Sequence, residues 1–477
     1  MSKHLSAVLV ALPLILQIFN NSFGQKSEIE ITIDAATASA AIQGRTTDAT
    51  SRNFSILREY AGTPNLAARV SNIILEDNLG RSVAFKQFIP GEYVAESDFS
   101  SWRYLMKLAP SAFASSAAHT SWIGSDSALL FARDLLPTFV TARGASTLVK
   151  VNAPPGWQVF GDLSAGYQSA SNGVMFLSKS ARVLDISPSD NSLRMVVTGG
   201  WKFTDQQAAA FFKEIYGEYS KLFGGSPTKA ANLFLVPFPT KVAPGDWEAD
   251  TRGNTVTVVS SDMPFGTQSI QRLHEQFRHE IFHLWIPNGL KLSGNYDWFY
   301  EGFALYESLK LGVSLNRIRF DDYLDTLGRA MTIDSMMSDR RSLLDASNAR
   351  SANNTIIYAR GMLAAYLADI EILKRSRGKQ DIVDILRTLF QANRASSEPQ
   401  DGNNAVLSAI DSNVVREFVS GSRSVDWNQV SNELGIEAAV RPGSITLAVT
   451  AKPSSAQKRL LDKLGYNNWR KLPVGSK

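Results

Sequence analysis

The chain has 477 residues, a formal net charge of +4, 44% hydrophobic residues and 20% charged residues. That size and balance describe a globular protein of two or three domains, and so small a charge argues against a dedicated nucleic-acid binder. Cysteine is absent, which excludes disulfides, thiol nucleophiles and cysteine-ligated metals and leaves the core alone to stabilise the fold.

Lys3 and His4 give a short basic start, Leu5 to Phe19 is an almost uncharged apolar run, and small Ser22 and Gly24 precede Gln25. This is the pattern of a secretory signal peptide over residues 1–24. The apolar run is 15 residues long, short of the about 20 that cross a bilayer as a helix. The expected location is therefore periplasmic or extracellular, with no membrane-spanning segment left after cleavage.

Residues 25–198 read as an N-terminal β-sandwich. Glu28 to Ile33 alternates polar and apolar residues as a half-buried strand does. Thr147–Val151 and Ser192–Val197 repeat the habit, and turn clusters such as Asn152–Gly156 separate such segments. A helical or irregular insertion is expected near 100–135. The character changes near residue 200. Thr204-Asp-Gln-Gln207 predicts a capping box, followed by a helix that buries Ala208, Phe211, Phe212, Ile215, Tyr219 and Leu222 and stops at Gly224-Gly225. Leu233–Pro237 and Thr255–Val259 read as strands, Thr267–Leu284 as a helix, and the chain from there to about 420 as helical. Strands before that helix and helices after it make residues 199–425 an α+β domain. Residues 426–477 remain as a short C-terminal extension, whose end from Lys452 to Lys477 carries seven basic residues against Asp462 and reads as a solvated face.

The chemistry is concentrated in His279-Glu280-Ile281-Phe282-His283 and in Glu301, which lies inside Trp298-Phe-Tyr-Glu-Gly-Phe-Ala-Leu-Tyr306. Two histidines four apart on a helix face the same way and can share one metal ion, and the glutamate between them can take a proton from a water that the metal activates. With 5 histidines in the chain, this pattern would arise by chance only roughly 0.002 times. Glu301 on a following helix supplies the third ligand. Nitrogen and carboxylate ligands with one open position suit zinc, one per chain, ahead of manganese or cobalt. Glu280 is the expected general base. Gly302 is expected to let two helices approach closely, His274 to be structural, and Asp297 to orient a ligand histidine.

His279 to Trp285 followed by Trp298 to Tyr306 resembles the gluzincin peptidases. Tyr358-Ala-Arg-Gly361 is similar to the Tyr-x-Lys-Gly segment of the glycyl aminopeptidase family. Pro154–Val159 and Arg416–Gly421 resemble segments before and after that family's catalytic core. The resemblance implies a β-sandwich followed by a thermolysin-like zinc domain, and cleavage of peptide or protein substrates near a free N-terminus. It also implies that Tyr358 donates to the tetrahedral intermediate, a role a phenol can fill because it stabilises charge developing on the carbonyl oxygen. Arg360 stands where the family has lysine, with a surface or substrate-carboxylate role open. Two further departures bear on function. The stretch from His283 to Glu301 is short and closer to membrane-alanyl-type aminopeptidases. The family's Gly-Gly-Leu-Glu-His strand is replaced by Trp247 to Val256, where Glu248 or Asp250 is left to anchor a substrate ammonium. The sequence thus predicts a zinc aminopeptidase, with a metalloendopeptidase or a zinc-bound, non-catalytic binding protein as the competing classes. The intact Glu280 argues against the last, since a scaffold has no need of a base.

Overall fold

Ile29, Ile31 and Ile33 alternate with polar residues along Lys26–Asp34, and all three enter one apolar core with Ile42, Trp102, Tyr104 and Met106 from the neighbouring strands. The computed structural model of the chain describes residues 26–46, 51–140, 146–161, 173–186, 192–395 and 398–466; the expected signal peptide and the last basic residues lie outside them. The strand Lys26–Asp34 sits in a six-stranded sheet, parallel to Ser146–Asn152 on one side and antiparallel to Ser39–Thr46 on the other. A three-stranded sheet (Ser51–Ser55, Glu92–Phe99, Phe85–Ile89) and a four-stranded one (Gln158–Gly161, Val174–Ser178, Ser127–Phe131, Trp122–Ile123) complete the N-terminal β-layers. The expected helical or irregular insertion near 100–135 is found over 108–121, which is irregular around the short helical turn Ala114–Ser116, whereas the flanking Ser101–Lys107 and Ser127–Phe131 pair into sheets and the short helix Ala132–Leu135 follows.

A five-stranded sheet follows, in the order Arg182–Ile186, Ser192–Val197, Ala230–Pro237, Thr255–Ser260, Trp247–Arg252. Ser192–Val197, grouped by its pattern with the sandwich, instead pairs in parallel with Ala230–Leu235 and so lies in this sheet. Both faces of the sheet are covered. Leu193, Met195, Val197, Leu233, Leu235, Val256 and Val258 pack on the helical side, while Val196, Phe234, Val236 and Val259 meet Phe131 and Phe176 of the four-stranded sheet. Two-sided burial is why the central strands Ala230–Pro237 and Thr255–Ser260 carry the runs Leu233–Val236 and Val256–Val259 with few polar breaks. The antiparallel edge strand Trp247–Arg252 borders the cleft.

The helix Asp205–Phe223 starts on the expected box: Gln207 N–H donates to Thr204 Oγ1 at 3.1 Å and Thr204 N–H to Gln207 Oε1 at 2.8 Å. It stops where Gly224 takes φ 74°, a conformation that costs glycine little. Leu222 only packs against the core from a half-buried position, and Phe223 and Tyr216 take the buried places beside the expected residues. Among the described residues no helix is long and apolar enough to cross a membrane. The C-terminal segment is part of the helical core. The hairpin Ile436–Arg441/Ser444–Val449 packs on the helix Phe320–Met336, where Ile445 N–H donates to Thr332 Oγ1 at 2.8 Å, and Leu434, Ile436 and Leu461 are buried.

Candidate active site

The helix Gly266–Phe282 carries His279 and Glu280, and His283 caps its C-terminus. The helix Asp297–Ser314 crosses it with Glu301. Nearly the whole of this second helix is buried, which explains an apolar sequence with no polar stripe. Trp298 Nε1–H donates to Asn403 Oδ1 at 2.7 Å, and Tyr306 O–H to Asp369 Oδ2 at 2.8 Å, so its polar aromatics are satisfied inside the core.

His279 Nε2 and His283 Nε2 are 3.3 Å apart, and Glu301 Oε2 stands 3.3 Å from the first and 3.6 Å from the second. All three side chains are buried. A tetrahedral zinc ion with bonds near 2.05 Å spaces its ligand atoms by about 3.3 Å. Glu301 Oε2 has no hydrogen-bond partner among the described residues although it is buried, a costly state that an ion would relieve. The donor set and the geometry fit one zinc.

The surroundings hold these ligands in place. His283 Nδ1–H donates to the Ile286 carbonyl at 2.9 Å, which fixes the ring and aims Nε2 at the centre. Arg350 donates to Glu301 Oε1 at 2.6 Å, to Asp297 Oδ1 at 2.9 Å and to the Tyr300 hydroxyl at 2.7 Å. Asp297 was expected to orient a histidine; it orients Arg350 instead, and through it the carboxylate ligand. Burial opposes ionisation of Glu301, yet Arg350 and the two histidines hold its pKa well below the ordinary carboxylate value.

Glu280 is buried beside the ligands. Thr251 Oγ1 lies 2.9 Å from both its Oε2 and its carbonyl oxygen, so the edge strand is tied to the helix at this point. Burial raises the Glu280 pKa, the direction that makes a carboxylate a better proton acceptor.

Tyr358 lies not at the start of an α-helix but in a π-helical turn, Ile356–Arg360, ahead of the helix Gly361–Ser376. Its ring centroid is 6.4 Å from that of His279, and its hydroxyl is 3.5 Å from Arg350 Nη2. Burial and the nearby Glu301 push its pKa well above the usual phenol value, so it stays protonated. The turn reaches the site because two glycines meet. A Cβ on Gly302 would lie 2.2 Å from the Gly361 carbonyl carbon, which bears out the expected close approach. Gly302→Ala is expected to lower stability by about 1–3 kcal/mol in chemical denaturation, since the added methyl forces the Tyr358 turn away from the Glu301 helix. Arg360 is fully buried, not at the surface or facing a substrate. It pairs with Asp334 at 2.8 Å and donates to the carbonyls of Phe418, Gly421 and Arg423, thereby gathering the Arg416–Gly421 segment around itself.

The cleft over this centre has a volume of about 1880 Å³ and takes walls from both β-layers and helices. Glu248 and Asp250 both line it, from the edge strand. Asp250 accepts from Arg252 Nε at 2.7 Å and meets His119 Nδ1 at 3.2 Å, whereas Glu248 Oε2 stands 3.7 Å from His119 Nε2. Despite burial, Asp250 and Glu248 push the His119 pKa up to about 9. Asp250 is thus already engaged, and Glu248 is the freer carboxylate. Sequence reasoning missed Arg350, Thr251 and His119. Arg350 lies 49 residues from Glu301, and nothing in local spacing marks any of the three.

No protein-family sequence model and no curated protein sequence matches the chain. Solved structures do. An aminopeptidase N family protein from Idiomarina loihiensis superposes with a TM-score of 0.70 at 14% identity, over 87% of this chain and 79% of that one. An M1 zinc metallopeptidase from Deinococcus radiodurans, bound to a Tyr-Ser-Ala substrate, gives 0.55 at 14% identity, over 84% of this chain and 95% of that one. A two-domain M1 zinc metallopeptidase bound to L-tryptophan gives 0.54 at 14% identity, over 84% and 95%. The chain has the fold of the M1 zinc metallopeptidases, and the buried set His279, His283 and Glu301 carries the gluzincin ligand pattern within it.

Proposed function

We propose that the protein is a zinc-dependent peptidase acting as an aminopeptidase. The observation that supports this best is the triangle of His279, His283 and Glu301, with Glu280 beside it and Tyr358 facing His279. Zinc bound there supplies a Lewis acid that polarises the scissile carbonyl and acidifies a water. Glu280, held through Thr251, takes the proton from the attacking water and delivers it to the leaving amine. Tyr358 donates a hydrogen bond to the oxyanion as its charge develops. Glu248 anchors the substrate ammonium from the edge strand, since Asp250 is already engaged by Arg252.

Purified protein should carry close to one equivalent of zinc by elemental analysis. His283→Ala should lose that zinc and the hydrolysis of peptides together, while circular dichroism still reports folded β-structure. A protein that neither contains nor binds zinc would overturn the assignment.

A metalloendopeptidase is the second reading, favoured by the proximity of His119 to Glu248, which offsets the charge available to an ammonium. Peptides with free and acetylated N-termini separate the two readings. The aminopeptidase reading expects the free peptides to be cleaved at least about 10-fold faster, because a carboxylate–ammonium pair in a dry cleft is strong; equal rates would move the assignment to endopeptidase.

A further inference from the structure

Three arginines are buried among the described residues: Arg252, Arg278 and Arg360. Arg252 is matched by Asp250 at 2.7 Å and Arg360 by Asp334 at 2.8 Å. Arg278 has no carboxylate partner among the described residues. Its guanidinium donates to His274 Nδ1 at 2.6 Å and to Ser308 Oγ at 3.4 Å. Arginine is always charged and has no acceptor, so His274 presents an unprotonated nitrogen to it; the other ring nitrogen, Nε2, lies 3.5 Å from Glu214 Oε2, and Glu214 thus reaches Arg278 only through a neutral ring. Only 3% of Arg278 is exposed, and the side chain lines the cleft.

The acids nearby are committed elsewhere. Glu214 holds Arg317 at 2.9 Å, Glu275 holds Arg272 at 3.1 Å and Asp322 holds Arg319 at 2.8 Å. Arg317 lines the same stretch of cleft. A buried cation without a counter-ion is costly, and structures keep one mainly where something else supplies the charge.

The position suits a substrate. Arg278 directly precedes His279 in the chain and packs on the Glu301 helix at Ser308, seven residues beyond Glu301. Seven residues of α-helix rise roughly 10 Å, the reach of about three residues of extended peptide. Glu248 stands on the cleft wall shared with the N-terminal layers through His119, whereas Arg278 belongs to the wall built with the Glu301 helix.

We propose that Arg278 forms an anion-accepting subsite of this cleft. There a carboxylate about two to three residues from the scissile bond, at the peptide C-terminus or on an Asp or Glu side chain, completes the ion pair that the fold leaves open. The proposal rests on the peptidase reading and names the substrate class within it: short peptides with a free C-terminus, or peptides acidic at that position.

Two sets of matched peptides distinguish the sources. In the first, tri- and tetrapeptides differ only in a free or amidated C-terminus; in the second, amidated peptides differ only in Asp against Asn at the second or third residue after the cleaved bond. The expected result is a kcat/KM at least about 10-fold higher for the carboxylate member in one of the sets. That ratio should fall to about one in Arg278→Gln and be largely kept in Arg278→Lys. Ratios near one in both sets with the unaltered enzyme overturn the subsite whether or not the variants fold, and so does a ratio that survives in folded Arg278→Gln. If no peptide is cleaved, the peptidase reading fails on its own, and calorimetric affinities of the same peptide pairs for the zinc-loaded protein decide. Tighter binding of the carboxylate members keeps the subsite, and equal binding removes it.

Discussion

Replacing Glu280 by glutamine should reduce peptide hydrolysis by at least about 100-fold and leave the zinc content at one equivalent. The amide keeps the size of the carboxylate, and its oxygen still accepts from Thr251, whose hydroxyl stands 2.9 Å from Glu280 Oε2. It cannot take a proton. His279, His283 and Glu301 are untouched, so the geometry of the ligand set is preserved. The discriminating measurement is kcat/KM alongside elemental analysis on the same preparation. A zinc-replete Glu280→Gln protein with undiminished turnover would mean that another group is the base or that the turnover belongs to another site.

The second large effect is expected at Tyr358. A phenol that donates to a developing oxyanion gives more in the transition state than in the ground state, and losing one such donor costs about 100- to 1000-fold, or roughly 3–4 kcal/mol. Tyr358→Phe should lower kcat by that factor with KM and zinc content nearly unchanged. Thermal stability should hardly move. The hydrogen bond its hydroxyl accepts from Arg350 Nη2 is long, at 3.5 Å, and the ring keeps its packing. An unchanged kcat with a lowered melting temperature would make Tyr358 a packing residue.

The parts of the site legible in the sequence were those set by local geometry. His279, Glu280 and His283 are spaced by the turn of one helix, and Thr204 and Gln207 by the first turn of another, so periodicity alone places them. Glu301 was readable because it stands eighteen residues beyond His283 on the next helix in the chain, where a third ligand is required. Arg350 and Thr251 were not, because they reach Glu301 and Glu280 from a later helix and from the edge strand, contacts made only when the chain folds. Ser192–Val197 was placed with the wrong neighbours for a related reason. Its alternation, with Ser192 and Arg194 exposed and Leu193 and Met195 buried, marks a strand but not the neighbours it pairs with. Arg360 looked like a surface or ligand-binding group because charge normally stays exposed, and only the tertiary structure brings Asp334 and three carbonyls around it.

The four-stranded sheet has no free face. Ala128 and Leu130 point into the N-terminal core, while Leu129 and Phe131 pack against Val196, Phe234 and Val259. A cut between Ala181 and Arg182 would leave a bare apolar strip on each piece, and each would be prone to aggregate. Neither half is therefore a portable module, and the two are not free to hinge about a thin linker.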